Sequence, residues 1–329
     1  MVYWSCEIMK IVIAGGGPAA VESAVAARKS SPDAQIDIYS EESFLPYRRP
    51  TLSGLLGADR KLDDKTFYIK TADFFTSQNI GFHPGEKALA VKDKTLLLSS
   101  GKSVVFDRLI LACGSNAVRP GLPGAERAYT LRSLRDMQKL ASRLDEGVKN
   151  AVVIGGGVLG LEIADSLLTR KINTVVLEAS AQLFPGKLPE NDAEALAERL
   201  NNLPGLHIHF GKFAEKITEG SVILKDGTVL PADLVIFACG SIPELSLAQS
   251  AGVVTGRGIV VNEFMQSSRE DIFAAGDMAE FNGRCFNLYM DAVASGKVAG
   301  SNAAGDKIPF AAKISPVRLF ALGEKLTMP

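Results

Sequence analysis

Lys10-Ile11-Val12-Ile13-Ala14 is a short apolar run that enters Gly15-Gly16-Gly17-Pro18-Ala19-Ala20, and Val21 to Arg28 then follow with helical patterning. Ala151-Val152-Val153-Ile154 enters Gly155-Gly156-Gly157-Val158-Leu159-Gly160 in the same way, and Leu161-Glu162-Ile163-Ala164 continues as a helix. Each stretch reads as strand, glycine turn, helix. The closing segments repeat as well: Leu109-Ile110-Leu111-Ala112-Cys113-Gly114-Ser115 in the first half and Val235-Ile236-Phe237-Ala238-Cys239-Gly240-Ser241 in the second. Two similar α/β units with parallel sheets follow from this repeat. The joint between them is expected around Val118-Arg119-Pro120-Gly121-Leu122-Pro123-Gly124, rich in residues that stop regular structure. Alternating polar and apolar positions at 87–106 and 203–230 predict an antiparallel meander in each unit, with turns at Ser100-Gly101 and Asp226-Gly227.

Composition narrows the function. A chain of 329 residues has room for two domains, and 47% hydrophobic with 22% charged residues is an ordinary globular balance. The net charge of −1 lacks the basic excess of a nucleic-acid binder. No uncharged stretch approaches the roughly 18 apolar residues of a membrane span, and the start MVYWSCEIMK has neither the basic nor the apolar region of a signal peptide. Cys6, Cys113, Cys239 and Cys285 form no CxxC pair, which implies a reducing, cytoplasmic setting. The three histidines, His83, His207 and His209, have no cysteine or carboxylate cluster beside them, so no metal site is expected.

The glycine turns carry the chemistry. In a strand–turn–helix unit the first glycine allows the tight turn and the second lets the backbone approach a pyrophosphate. A third small residue lets helix and strand pack, and the helix N-terminus stabilises the phosphates. The first copy supplies Gly15, Gly17 and Ala20, with Glu41 beyond the next strand to accept hydrogen bonds from ribose hydroxyls and Glu42 as the alternative. The second supplies Gly155, Gly157 and Gly160, with Glu178 ending Thr174-Val175-Val176-Leu177-Glu178. Glu178 would bind a ribose 2′-hydroxyl and repel a 2′-phosphate, and no arginine follows it, so NADH is favoured over NADPH. Two dinucleotide sites in one chain imply two cofactors that exchange electrons.

With these motifs in order, the chain resembles the FAD- and NAD(P)H-dependent pyridine nucleotide oxidoreductases, and most of all the branch of rubredoxin and ferredoxin reductases and nitrite reductase flavoproteins. Pro46-Tyr47-Arg48-Arg49-Pro50-Thr51-Leu52-Ser53 is similar to that branch's P-Y-x-R-P-x-L-S motif along the flavin. Ser268 to Asp277, ending Ala275-Gly276-Asp277, resembles the second FAD motif, and Ala112-Cys113-Gly114 stands where the family has A-T-G. The likeness spans about residues 9–305. It implies an FAD-binding domain at 1–118 plus 243–329 and an NAD-binding domain at 119–242. It also implies FAD contacts at Ala19, Arg49, Ala88, Ala112, Gly114, Arg132, Gly276, Asp277 and the Tyr289 to Ala292 stretch, and counts Gly240 among the NAD contacts. The implied function is electron transfer from NADH through FAD to a carrier such as rubredoxin or ferredoxin. The alternatives are an NADH oxidase or diaphorase using oxygen or quinone, and an FAD-binding subunit of a larger complex.

The chain departs from the family in two places. Sister branches with peroxidase or disulfide reductase activity carry a redox cysteine after the L-S position, and the ferredoxin-reductase branch carries a lysine there that pairs with a glutamate like Glu162 beside the flavin. Gly54 stands at that position. Thiol chemistry at the flavin is therefore not expected, and either Arg48, Arg49 or Lys61 substitutes for the lysine beside Glu162 or the flavin lacks that partner altogether. The family's C-terminal interface domain is short or absent, only the segment 308–329 standing there. An open flavin face or a partner chain covering it is the expectation.

Overall fold

The computed structural model describes residues 8–59, 64–311 and 315–329; Cys6 and Lys61 lie outside them. The chain divides into two compact units, the first drawn from 1–48, 64–115 and 243–315, the second from 49–63, 116–242 and 316–329.

The first unit is built on a five-stranded parallel sheet. Its strands are ordered Ile272–Ala274, Arg108–Leu111, Lys10–Ala14, Gln35–Ser40, Ile80–Pro84. Ile11, Ile13, Leu109, Ile110 and Leu111 are wholly buried, as the inner strands of a sheet covered on both faces must be. Each such side chain contributes about 1.5–3 kcal/mol of burial. Two helices, Pro18–Ser30 and Tyr289–Ala303, pack against each other so closely that a Cβ on Gly300 would come within 2.0 Å of the Ser23 carbonyl oxygen. Ser23 Oγ reinforces the contact by donating to the Gly296 carbonyl at 2.9 Å. The meander consists of Ala88–Lys92, Thr95–Leu98 and Ser103–Val105, all antiparallel. Its second turn passes through Gly101 at φ +85°.

The second unit repeats the plan. Its parallel sheet runs Tyr129–Thr130, Leu234–Phe237, Asn150–Ile154, Asn173–Glu178, Leu206–Phe210. The antiparallel meander is Ala214–Thr218, Ser221–Leu224 and Val229–Pro231. Here the structure corrects the sequence reading, because Leu206–Phe210 is not part of the meander but the parallel edge strand. Such a strand alternates between covered and open faces, the same signal a meander gives. Helix Leu134–Asp145 begins with a capping box between Ser133 and Asp136. A hairpin, Val317–Ala321 with Glu324–Met328, also clusters with this unit. The sequence reading places 316–329, and Arg49 with its neighbours, in the first unit; by contact they group with the second.

Candidate functional site

The two glycine turns share several hydrogen bonds. Gly15 N donates to Tyr39 O and Gly155 N to Leu177 O, each at 2.8 Å. Ala112 N donates to Ala14 O at 2.7 Å and Ala238 N to Ile154 O at 2.8 Å. Even the cysteines correspond, with Cys113 Sγ donating to Ala14 O at 3.4 Å and Cys239 Sγ to Ile154 O at 3.1 Å.

Within each turn the glycines do different jobs. Gly15 and Gly155 have φ of +127° and +118°, and a Cβ there would lie 2.1 Å from Ala112 O and 2.3 Å from Ala238 O. Only glycine fits that conformation and that approach. Gly160 is needed for packing, since its Cβ would sit 1.9 Å from Gly155 O. Ala20, wholly buried, fills the corresponding role in the first copy. Gly17 and Gly157 are otherwise: a Cβ on either would meet nothing within 4 Å. Folding alone does not require glycine at those two positions. Both are N-caps with no side-chain capping bond, and neither helix has an acidic residue in its first turn. Bare amides at the positive end of a helix, with clear space before them, form an anion cradle. A dinucleotide pyrophosphate fits both cradles.

The residues around the first cradle gather in one unit. Gly276, at φ +69°, would place a Cβ 3.0 Å from Ala19 Cβ and 3.6 Å from Ala292 Cβ. Its amide donates to Ser295 Oγ at 3.0 Å. Ser115 Oγ donates to Asp277 Oδ2 at 2.8 Å. Tyr289 opens the helix that carries Ala292, and burial raises its phenol pKa against the opposing pull of Arg48. Gly114, at φ +79°, follows Cys113, whose amide meets Met278 Sδ at 2.9 Å. Glu41 stands just past the strand Gln35–Ser40 and pairs with Lys87 Nζ at 2.9 Å, beside Ala88. Glu42, the alternative ribose acceptor, takes the Tyr47 hydroxyl at 2.7 Å.

In the second unit Glu178 Oε2 accepts the Gly156 amide and Oε1 the Ser180 amide, both at 2.8 Å. By register Glu178 corresponds to Ser40 of the first unit, so the first unit's acid is displaced by one residue. Gly240, at φ +92°, has nothing within 4 Å of its Cβ position, and its carbonyl accepts from Val118 N at 3.0 Å. Arg49 Nη1 donates to the Arg132 carbonyl at 2.7 Å, which brings those two predicted residues together in the second unit.

Glu162 finds an unforeseen partner. Ser53 Oγ donates to its Oε2 at 2.8 Å. Burial pushes the Glu162 carboxyl above the usual glutamate range, the Ser53 hydroxyl opposes that, and Asp165 adds to it. Ser53 stands in the quoted motif, but nothing in the sequence pairs it with a residue so distant. Among the described residues no group of three or more His, Cys, Asp or Glu side chains could hold a metal ion, and no helix is long and apolar enough to cross a membrane.

Comparison with known proteins agrees with this geometry. The profile of the pyridine nucleotide-disulphide oxidoreductase family matches residues 9–299. The chain is 30% identical over 327 residues to an NADH-rubredoxin oxidoreductase of Clostridium acetobutylicum, covering 96% of this chain and 82% of that one. A crystal structure of NADH:rubredoxin oxidoreductase from the same organism superimposes with a TM-score of 0.84 at 30% identity, covering 97% of this chain and 81% of that chain. Putidaredoxin reductase of Pseudomonas putida is 32% identical over 296 residues, covering 85% of this chain and 69% of that protein.

Proposed function

The chain belongs to the pyridine nucleotide-disulphide oxidoreductase family, and we propose that it is an FAD-dependent NADH:acceptor oxidoreductase that delivers electrons to a small iron–sulfur or rubredoxin-type carrier. The observation that carries this reading is the pair of cradles at Gly17 and Gly157, each shaped for a pyrophosphate and each in its own unit. The cofactors supply the redox chemistry, since a nicotinamide gives a hydride and a flavin releases electrons singly.

The chain's own residues bind and orient. Amides at the start of helix Pro18–Ser30 would hold the FAD pyrophosphate, Glu41 would accept its ribose hydroxyls, and Ala112, Gly114, Gly276, Asp277 and Tyr289 would contact it. We assign FAD to 1–118 plus 243–329 and NADH to 119–242. Glu178 has both oxygens held by amides, and its remaining lone pairs would accept a ribose 2′-hydroxyl while its charge would repel a 2′-phosphate. NADH is thereby preferred to NADPH. We further place the protein in the cytoplasm, on the scattered cysteines that form no CxxC pair.

The carrier is tested directly. NADH oxidation by the FAD-loaded protein is followed anaerobically with a rubredoxin-type or ferredoxin-type acceptor, and in a separate aerobic assay with oxygen alone. Turnover that depends on the carrier supports the reading; equal or faster turnover with oxygen alone replaces it with an oxidase.

A further inference from the structure

Ser53 is 4% exposed, at the start of the short 3-10 turn Ser53–Leu56, and is held from two directions. Its hydroxyl donates to Glu162 Oε2 at 2.8 Å, and its carbonyl accepts the Ser166 hydroxyl at 2.8 Å. Residues 162 and 166 are four apart on helix Val158–Thr169, so one face of that helix grips both polar ends of a single serine. The rest of the segment is tied to the same helix end, Arg170 Nε donating to Leu56 O at 2.6 Å and Ala58 N to Thr169 Oγ1 at 3.1 Å. This is an expensive arrangement for a turn that packing alone could hold, because it withdraws a carboxyl from water beside a neutral donor.

We infer that Ser53 is a positioning residue of the second unit, its hydroxyl fixing the orientation of the Glu162 carboxyl in the position where a cation from residue 54 is absent. The inference rests on the reading of the second unit as the nicotinamide-binding domain. A neutral hydroxyl fixes the acid without cancelling its charge, whereas a cation would hold it ionised throughout the working pH range. Glu162 is thus kept in one place while remaining free to take up or release a proton.

Among the described residues, the elements packed against the turn bring charge: helix Leu134–Asp145 carries Arg135, Asp136, Lys139, Arg143 and Asp145, and the turn Arg49–Thr51 carries Arg49. The turn Ser53–Leu56 and the strand Asn150–Ile154 carry none. The strand Asn173–Glu178 contributes Glu178, already committed to the Gly156 and Ser180 amides, and the strand Val317–Ala321 contributes Arg318. On the helix itself Asp165 raises the Glu162 pKa, in the same direction as burial, and the Ser53 bond opposes them.

The test is a carboxyl titration of the full chain labelled with 13C at the glutamate side-chain carboxyl, without added nucleotide, the Glu162 signal being assigned by its loss in Glu162→Gln. Ser53→Ala should move the Glu162 midpoint upward by about one pH unit, the size of one lost hydrogen bond to a charged group. Ser53→Cys, close in size and a weak donor, should move it the same way by less, and serves if the alanine variant does not fold. A midpoint unchanged in whichever variant folds overturns the inference. Because no nucleotide is present, that outcome is separate from a failure of NADH to bind, which would overturn the functional reading and leave the Ser53–Glu162 relationship standing.

Discussion

The Gly156 amide donates to Glu178 Oε2 at 2.8 Å, so the middle glycine of the second turn and the acid ending the next strand form one rigid corner. On the proposed ribose role, nucleotide preference would be coupled to turn geometry at a single side chain. Glu178→Ala should lower the preference for NADH over NADPH by about tenfold or more, as loss of hydrogen bonds to a charged group costs about 1.5–3 kcal/mol. Dissociation constants of the two nucleotides give the ratio, and an unchanged ratio contradicts the ribose role.

Gly15 and Gly17 make opposite predictions although they are two residues apart. Gly15→Ala places a Cβ against Ala112 O in a left-handed conformation, and should destabilise the protein with or without cofactor. Gly17→Val meets no protein atom near the backbone and should fold normally yet purify without FAD. Melting curves of the apo forms together with flavin content separate the two. A Gly17→Val protein carrying its full complement of FAD would remove the first cradle from the account.

Asp277 accepts the Ser115 hydroxyl and lies next to Gly276, which touches the Ala19 side of the first cradle. Asp277→Ala should weaken FAD binding by about tenfold or more, and Ser115→Ala by less, since the serine hydroxyl holds the aspartate rather than the ribityl chain. Flavin dissociation measured by fluorescence gives both values. Equal losses in the two variants would contradict that order.

Glu162 gives a stability prediction with a definite sign. Its folded-state pKa lies above the ordinary glutamate value because of burial, so the native state holds more protons than the unfolded chain between the two values. Stability from this residue is present below the ordinary value and is lost as pH rises through the folded one. Glu162→Gln should abolish that slope, which denaturant midpoints measured across the acidic to neutral range would reveal. Parallel pH profiles for the two proteins would contradict the shift.

The doubled turn was legible in the sequence because its cause is local: a strand must leave through a residue with positive φ, and Gly15 and Gly155 supply it. The meander of the first unit was legible for the same reason, through alternation and turn residues. What could not be read was whatever depends on distant residues meeting. Ser53 and Glu162 are separated by 109 positions, and the sequence reading sought a cation for Glu162 among Arg48, Arg49 and Lys61. Arg49 instead reaches the Arg132 carbonyl. The edge strand Leu206–Phe210 was misread because a half-covered parallel strand and an antiparallel one alternate alike.

The measurement that bears most directly on the central claim is a visible spectrum of the FAD-loaded protein during anaerobic titration with NADH. Two cradles serving two cofactors predict that the flavin bands bleach with one equivalent of NADH, and that Gly157→Val keeps the bands while needing far more NADH to bleach them. Flavin bands that NADH leaves unchanged in the intact chain would contradict electron transfer between the two sites.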